Sequence, residues 1–93
     1  MAVEVRLPTL LRPAAGGNAS ATLEGDTVGD VLRSLETDYP GLQGQVLASD
    51  GALHKFVNVY LNDDDVRYLD RLDTKVGPGD TVSILPAVAG GLA

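Results

Sequence analysis

The residues with the most evident chemistry stand near the end of the chain, where Gly90-Gly91 is followed by Leu92-Ala93. A glycine pair carries no Cβ atoms, so it can enter a narrow site and adopt backbone angles that other residues avoid. If the second glycine ended in a free carboxylate, an enzyme could activate that carboxylate for acyl transfer. In this sequence the Gly91 carbonyl is in a peptide bond to Leu92, so we expect an inactive precursor that is activated by removal of Leu92-Ala93. The alternative is that these two residues are a neutral extension or a cloning scar.

Other kinds of reactive site have little support. The chain has no cysteine, which excludes disulfides, a thiolate nucleophile and a Cys-ligated metal site. Its one histidine is His54, so we expect no transition-metal site. The acidic run at residues 62–65 lacks the glycine and the glutamate that a calcium loop requires at its sixth and twelfth positions. A solvated turn is the better interpretation of that run.

Length and charge narrow the class of protein. Ninety-three residues with 44% hydrophobic content fit a single domain with one modest core. Thirteen acidic against seven basic side chains give a net charge of −6, which argues against nucleic acid as a partner and favours a protein with a basic docking surface. The N-terminus contains Glu4 and no apolar run long enough for a signal peptide or a membrane span. We therefore expect a cytoplasmic protein that does not bind membranes.

The first half of the chain changes from a strand pattern to a helix pattern. Alternating apolar and polar residues predict a first strand from Val3 to Leu7 and a second over 19–24, separated by a loop over 13–18. Thr27 and Asp30 are spaced as a helix N-cap, and Pro40-Gly41 is a typical helix end. The apolar stripe between them predicts one amphipathic helix and consists of Val28, Val31, Leu32, Leu35 and Tyr39.

The second half predicts further strands. For residues 42–53 the pattern is compatible with either a short second helix or a turn. Residues 56–61 alternate as a strand, which leads through a turn into a short segment at 66–69. Residues 77–80 have the Pro and Gly positions of a type II turn, and a last strand over 81–85 ends at Pro86. We expect an α+β fold, with one mixed sheet of about four to five strands, one helix packed across it, and the first and last strands side by side.

Three segments resemble those of the ubiquitin-like sulfur carriers, the small β-grasp proteins of the MoaD, ThiS and CysO group, and look most like the CysO branch. The segments are Pro8-Thr9-Leu10-Leu11-Arg12-Pro13, which we interpret as a loop, Phe56-Val57-Asn58-Val59-Tyr60-Leu61-Asn62-Asp63 and Leu85-Pro86-Ala87-Val88-Ala89-Gly90-Gly91. The resemblance covers nearly the whole chain. It implies a β-grasp domain over 1–86 and a flexible C-terminal tail over 87–93.

The resemblance also implies a function as a carrier and not as an enzyme. Val88, Ala89, Gly90 and Gly91 would thread into partner active sites, where an E1-like enzyme uses ATP to adenylate Gly91 and sulfur then replaces AMP to give a thiocarboxylate. No cofactor would be bound by the chain itself. The expected acceptor enzyme is a PLP-dependent cysteine synthase, and a zinc metalloprotease of the JAMM type would remove the extension. Alternatives are a carrier for thiamin thiazole, molybdopterin or a secondary metabolite, a ubiquitin-like modifier of other proteins, and a plain binding module.

A docking surface is predicted on the sheet. If the apolar residues of the last two long strands face the helix, their alternate neighbours form an open face with exposed aromatics. Such a face is typical of a partner-binding surface. Its predicted members are Phe56, Asn58, Tyr60, Leu85 and Pro86, together with Ser83.

Overall fold

The computed structural model describes residues 2–48, 51–54 and 57–86. One sheet, one α-helix and several short 3-10 turns make up this part of the chain. The elements are β1 (Ala2–Arg6), a 3-10 helix at Thr9–Ala15, β2 (Ser20–Glu24), α1 (Val28–Asp38), a 3-10 turn at Pro40–Leu42, β3 (Val57–Leu61), β4 (Asp64–Asp65), 3-10 turns at Val66–Tyr68 and Arg71–Asp73, and β5 (Thr81–Pro86).

The sheet is mixed and has five strands in the order β2-β1-β5-β3-β4. The terminal strands β1 and β5 lie side by side at its centre, as the sequence predicted. They pair in parallel, while the other pairs are antiparallel. With α1 packed across one side, this is the β-grasp arrangement, so the predicted fold class is confirmed. The division into a domain at 1–86 and a tail at 87–93 stays a prediction, because residues 87–93 lie outside the described part of the chain.

Strand alternation places the core between the sheet and α1. Every second residue of the central strands is buried, and the apolar stripe of the helix packs against the same core. This agreement follows from the period of 2 in strands and 3.6 in helices, which the sequence already displayed. The fully buried side chains include Val3, Val5, Val31, Leu32, Leu35, Val59, Val82 and Ile84.

The start of α1 is capped as predicted. Thr27 has an extended backbone, and its hydroxyl oxygen accepts a hydrogen bond from the Asp30 backbone N–H at 3.1 Å. The Arg33 guanidinium, 2.7 Å from Asp30 Oδ1, holds the pKa of that carboxyl below its usual value. The cap therefore satisfies one of the helix's unpaired amides and fixes where the helix begins.

We expect Thr27→Ala to lower the free energy of unfolding by about 1 kcal/mol, because the Asp30 amide loses its acceptor. Urea unfolding followed by circular dichroism measures the change. Thr37→Ala is the matched control, since Thr37 is exposed on the same helix and its hydroxyl only donates back to the Arg33 carbonyl. An equal loss of stability in both variants would contradict the assignment of the cap.

Two segments differ from their sequence interpretation. Residues 9–15 form a 3-10 helix where we expected the chain to be a loop, because burial of Leu11 and Ala15 holds the turns together around Pro13. The possible second helix after residue 42 is only the 3-10 turn Pro40–Leu42. Val46 and Leu47 beyond it are buried through irregular backbone.

The predicted turn before β5 is confirmed. Gly79 has a φ of +89°, which a side chain would disfavour, and the Asp80 N–H donates to the Gly77 carbonyl at 3.1 Å. The Asp80 carboxylate in turn accepts the Gly77 N–H at 2.8 Å. This closed turn fixes the start of the strand that leads to the C-terminal tail.

The described ranges contain no helix with the length and apolar character needed to cross a membrane.

Candidate functional site

The candidate site is built around the end of β5. This strand occupies the middle of the sheet, paired with β1 on one side and β3 on the other, and Pro86 is its last residue. After Ala87 come the predicted tail residues Val88, Ala89, Gly90 and Gly91, and then the extension Leu92-Ala93. All six lie outside the described residues. The structure therefore shows only the point on β5 after which they begin, which we call the tail root.

The sheet surface turned away from α1, which we call the outer face, has the predicted alternation. Asn58 lies opposite Leu85 in the register and Tyr60 lies opposite Ser83. The intervening Val57, Val59, Val82 and Ile84 are buried in the core. Leu85 is 44% exposed, so an apolar side chain is open to solvent near the end of the central strand of this face.

Two members of the predicted docking surface need separate comment. Phe56 lies outside the described residues, so its position is untested. Pro86 is half-buried and lies opposite the buried Val57, which gives it the parity of the core side of β5 and not that of Leu85. It is the last residue before the tail and borders the outer face from the strand's end.

The outer face continues into a groove that the sequence analysis did not foresee. The 3-10 helix after β1 forms one wall of it and presents Leu10, whose side chain is 78% exposed. Tyr60 and Ser83 form the floor, and Arg6 and Arg12 supply positive charge. Arg6 could have been placed here from the alternation of β1. Leu10 and Arg12 could not, because their segment was expected to be a loop.

Arg12 is held in place at one side of β5. Its Nε atom donates to the Leu7 carbonyl at 3.1 Å, and the side chain is half-buried. Leu7 directly follows β1, the strand that is the parallel neighbour of β5. The guanidinium therefore lies beside the end of β5 from which the tail leaves.

Arg67 is held at the other side of β5. Its guanidinium donates to Asn58 Oδ1 at 2.5 Å and to the Val57 carbonyl at 2.9 Å. The side chain crosses part of the outer face, so Asn58 is engaged within the chain and is not a free docking residue. No local pattern in the sequence indicates this contact, which joins a residue after β4 to the start of β3.

The opposite end of the outer face is acidic. Glu4 lies opposite Thr81 at the start of β5, and Asp63 borders the same groove near Tyr60. Asp80 precedes β5 and its carboxylate is 3.4 Å from the Asn62 amide. Within the part of the chain that the structure describes, these carboxylates form no group suited to a metal ion. The outer face is thus negative where β5 begins and positive where it ends.

Comparison with known proteins gives a family for this arrangement. The family model described as the ThiS family matches residues 5–91. The chain belongs to the ThiS family of ubiquitin-like sulfur carriers. The ThiS family match spans the domain and the glycine pair, and its last residue is Gly91.

Several known proteins are similar to this chain in sequence or in structure. The sulfur carrier protein CysO of Mycobacterium tuberculosis is 50% identical over 93 residues, covering 98% of this chain and 100% of the relative. A crystal structure of the Amycolatopsis orientalis BexX/CysO complex matches with a TM-score of 0.86 and 44% identity, over 96% of this chain and 99% of the matched chain. The small archaeal modifier protein 3 of Haloferax volcanii is 51% identical over 65 residues, which is 70% of each chain. These findings confirm the resemblance to ThiS-family carriers, including the CysO branch.

Proposed function

We propose that this protein is a sulfur carrier whose sulfur is held as a thiocarboxylate on Gly91. The observation that carries the proposal is the ThiS-family match, which runs through the domain and ends on Gly91. The 50% identity to a protein named sulfur carrier CysO supports the same role. The absence of cysteine supports it chemically, because a carboxyl group is then the means of holding transferable sulfur.

The chemistry takes place on partner enzymes and not on this chain. A carboxylate oxygen of Gly91 attacks the α-phosphate of ATP in an E1-like enzyme, which releases pyrophosphate and forms an acyl-adenylate. Sulfide then attacks the acyl carbon, the bond from that carbon to the phosphate oxygen breaks, AMP leaves, and the product is the thiocarboxylate. The role of this chain is to present an acyl group on a thread narrow enough for the enzyme, which the glycine pair allows.

Cysteine is the proposed product. A PLP-dependent cysteine synthase would add the thiocarboxylate sulfur to an activated serine, whose leaving group departs. A peptidase would then hydrolyse the bond that joins the product to Gly91 and release cysteine. The relatives named CysO support this destination. The outer face around Leu85 and Tyr60 is the proposed docking surface for these enzymes. It is partly exposed, apolar at Leu85 and adjacent to the tail root.

Trimming is the proposed first step. The extension Leu92-Ala93 leaves Gly91 without the free carboxylate that adenylation requires, and a JAMM-type zinc metalloprotease is the proposed enzyme that removes it with a metal-bound water. The family match supports this reading because both residues lie beyond its end.

Intact-mass measurement tests the proposal. A variant ending at Gly91 is incubated with the adenylating enzyme encoded in the same genome, ATP and a sulfide source. We expect exchange of one oxygen for sulfur in this variant and an unchanged mass in the chain that keeps Leu92-Ala93. A trimmed chain that stays unmodified with every adenylating enzyme of that genome would contradict the carrier function.

A role as a protein modifier is the second candidate, supported by the 51% identity to the small archaeal modifier protein 3. In that case Gly91 would form isopeptide bonds with lysines of other proteins. The same experiment separates the two functions when lysate proteins are added. Conjugates of higher mass that carry the chain's C-terminal peptide on lysine would indicate the modifier.

A further inference from the structure

Two arginines flank the root of the tail, and we call Arg12 and Arg67 the tail-root arginines. The first is fixed on the Leu7 carbonyl and the second on the Val57 carbonyl. Leu7 continues the strand on one side of β5, and Val57 lies opposite Pro86 on the other side. The two guanidiniums therefore lie on either side of the strand at the point where the tail leaves it.

Both tail-root arginines are held by neutral oxygen acceptors. Among the described residues neither forms an ion pair, whereas Arg6 lies 3.9 Å from Glu4 and Arg33 lies 2.7 Å from Asp30. The carboxylate of Asp65 accepts the backbone N–H of Arg67 at 2.9 Å and makes no ion pair with its guanidinium. Asp63 borders the same groove as Arg12, and Asp70 and Asp73 border the same hollow as Arg67, but among the described residues no carboxylate lies within ion-pair distance of either guanidinium.

Exposed leucine lies next to both arginines: Leu85 borders the groove with Arg12 and lies opposite Asn58, which Arg67 binds. Leu85 lies at the end of β5 with 44% of its side chain exposed, and Leu10 on the adjoining wall is 78% exposed. An exposed leucine beside two cations is complementary to a segment that carries carboxylates on either side of an apolar residue. The net charge of −6 favours a basic partner for the molecule as a whole, but the two arginines at the tail root favour an acidic partner surface at that point.

We propose that the tail-root arginines bind carboxylates on the partner adenylating enzyme, at the rim of the channel that the tail enters. This rests on the proposed carrier function and adds a positioning role for this chain's own residues. The ion pairs align the domain with the channel before the glycine pair reaches the reacting phosphate. Arg12 and Arg67 act in docking and do not touch the acyl group.

Matched charge-neutral variants test the proposal in the chain ending at Gly91. Arg12→Gln, Arg67→Gln and the double variant are compared with Arg33→Gln, an exposed arginine on α1. Each single variant removes one positive charge, so effects of net charge alone are equal. The dissociation constant for the adenylating enzyme of the same genome is measured calorimetrically at low and high salt, and thiocarboxylate formation is followed by mass.

We expect the double variant to bind about tenfold more weakly at low salt, as the loss of two partly exposed ion pairs should produce. The difference should shrink at high salt because such pairs are screened. The rate at saturating carrier should stay unchanged, and Arg33→Gln should stay within about twofold of the parent. Arg12→Lys keeps the charge but loses the Nε bond to the Leu7 carbonyl, so its affinity should lie between those of the parent and Arg12→Gln.

Two results would overturn the inference. One is equal binding by the double variant and Arg33→Gln, and the other is absence of binding by the parent chain. Because Arg67 also bonds to Asn58, Arg12→Gln alone is decisive if the Arg67 variant proves unstable. The carrier function has its own readout, since a parent that binds the enzyme but gains no sulfur would contradict the function and not the docking.

Discussion

Gly90→Val, introduced into the chain ending at Gly91, is expected to slow thiocarboxylate formation by about 100-fold or more. Valine adds a branched Cβ, which widens the thread and restricts its backbone to angles that the enzyme site need not accept. A misplacement of about 1 Å at the reacting carboxylate is enough for a loss of this size. The initial rate of oxygen-to-sulfur exchange, measured by intact mass, gives the effect.

The control for this variant lies in the same tail. Ala87→Val adds a β-branched side chain four residues before Gly91 and should change the rate by only a few-fold. Both variants should keep the stability of the parent in urea unfolding, because both leave the core residues, which run from Val3 to Ile84, unchanged. Exchange by Gly90→Val at the parent rate would show that the glycine pair does not have to be narrow.

The elements with strong periodicity were predictable from the sequence. The alternation of β1, β3 and β5 and the apolar stripe of α1 each specify a buried face, and burial then fixes the register. The adjacency of β1 and β5 was also predicted and is confirmed by their parallel pairing. These features rest on local patterns that tertiary packing reinforces.

The parts that sequence analysis missed lack such patterns. The 3-10 helix at Thr9–Ala15 is short and contains Pro13, so it has no helical period to detect. Arg67 reaches Asn58 across nine positions of sequence through a turn whose course depends on the whole sheet. The positive charge at the tail root therefore becomes visible only when distant segments are brought together in three dimensions.

Within β5 the predicted docking surface contains one residue that sequence alternation placed correctly and one that it did not. Alternation correctly put Leu85 on the outer face and Ile84 in the core, with 44% and 1% exposure. The same alternation, carried one residue further, gives Pro86 the core-side parity that its inclusion with Leu85 overlooked. The domain thus presents its tail from a strand whose neighbouring residues serve stability and surface contact separately.

Because Ile84 lies in the core and Leu85 on the surface, replacing each by alanine should have different effects on stability and on binding. Ile84→Ala removes fully buried methyl groups at the centre of the sheet and should lower the free energy of unfolding by about 3 kcal/mol. That is a large share of the roughly 5–15 kcal/mol available to a small domain. Leu85→Ala removes a half-exposed side chain and should cost less than about 1 kcal/mol, while weakening binding to the adenylating enzyme several-fold.

Urea denaturation of both variants and titration against the adenylating enzyme measure the two effects side by side. The comparison is stringent because the residues are neighbours on one strand, so both substitutions leave the same backbone pairings with β1 and β3 in place. Equal losses of stability would mean that β5 does not alternate between core and surface as described. Normal enzyme binding by a stable Leu85→Ala variant would instead remove the outer face from the docking surface, because Leu85 is its most exposed apolar residue on β5.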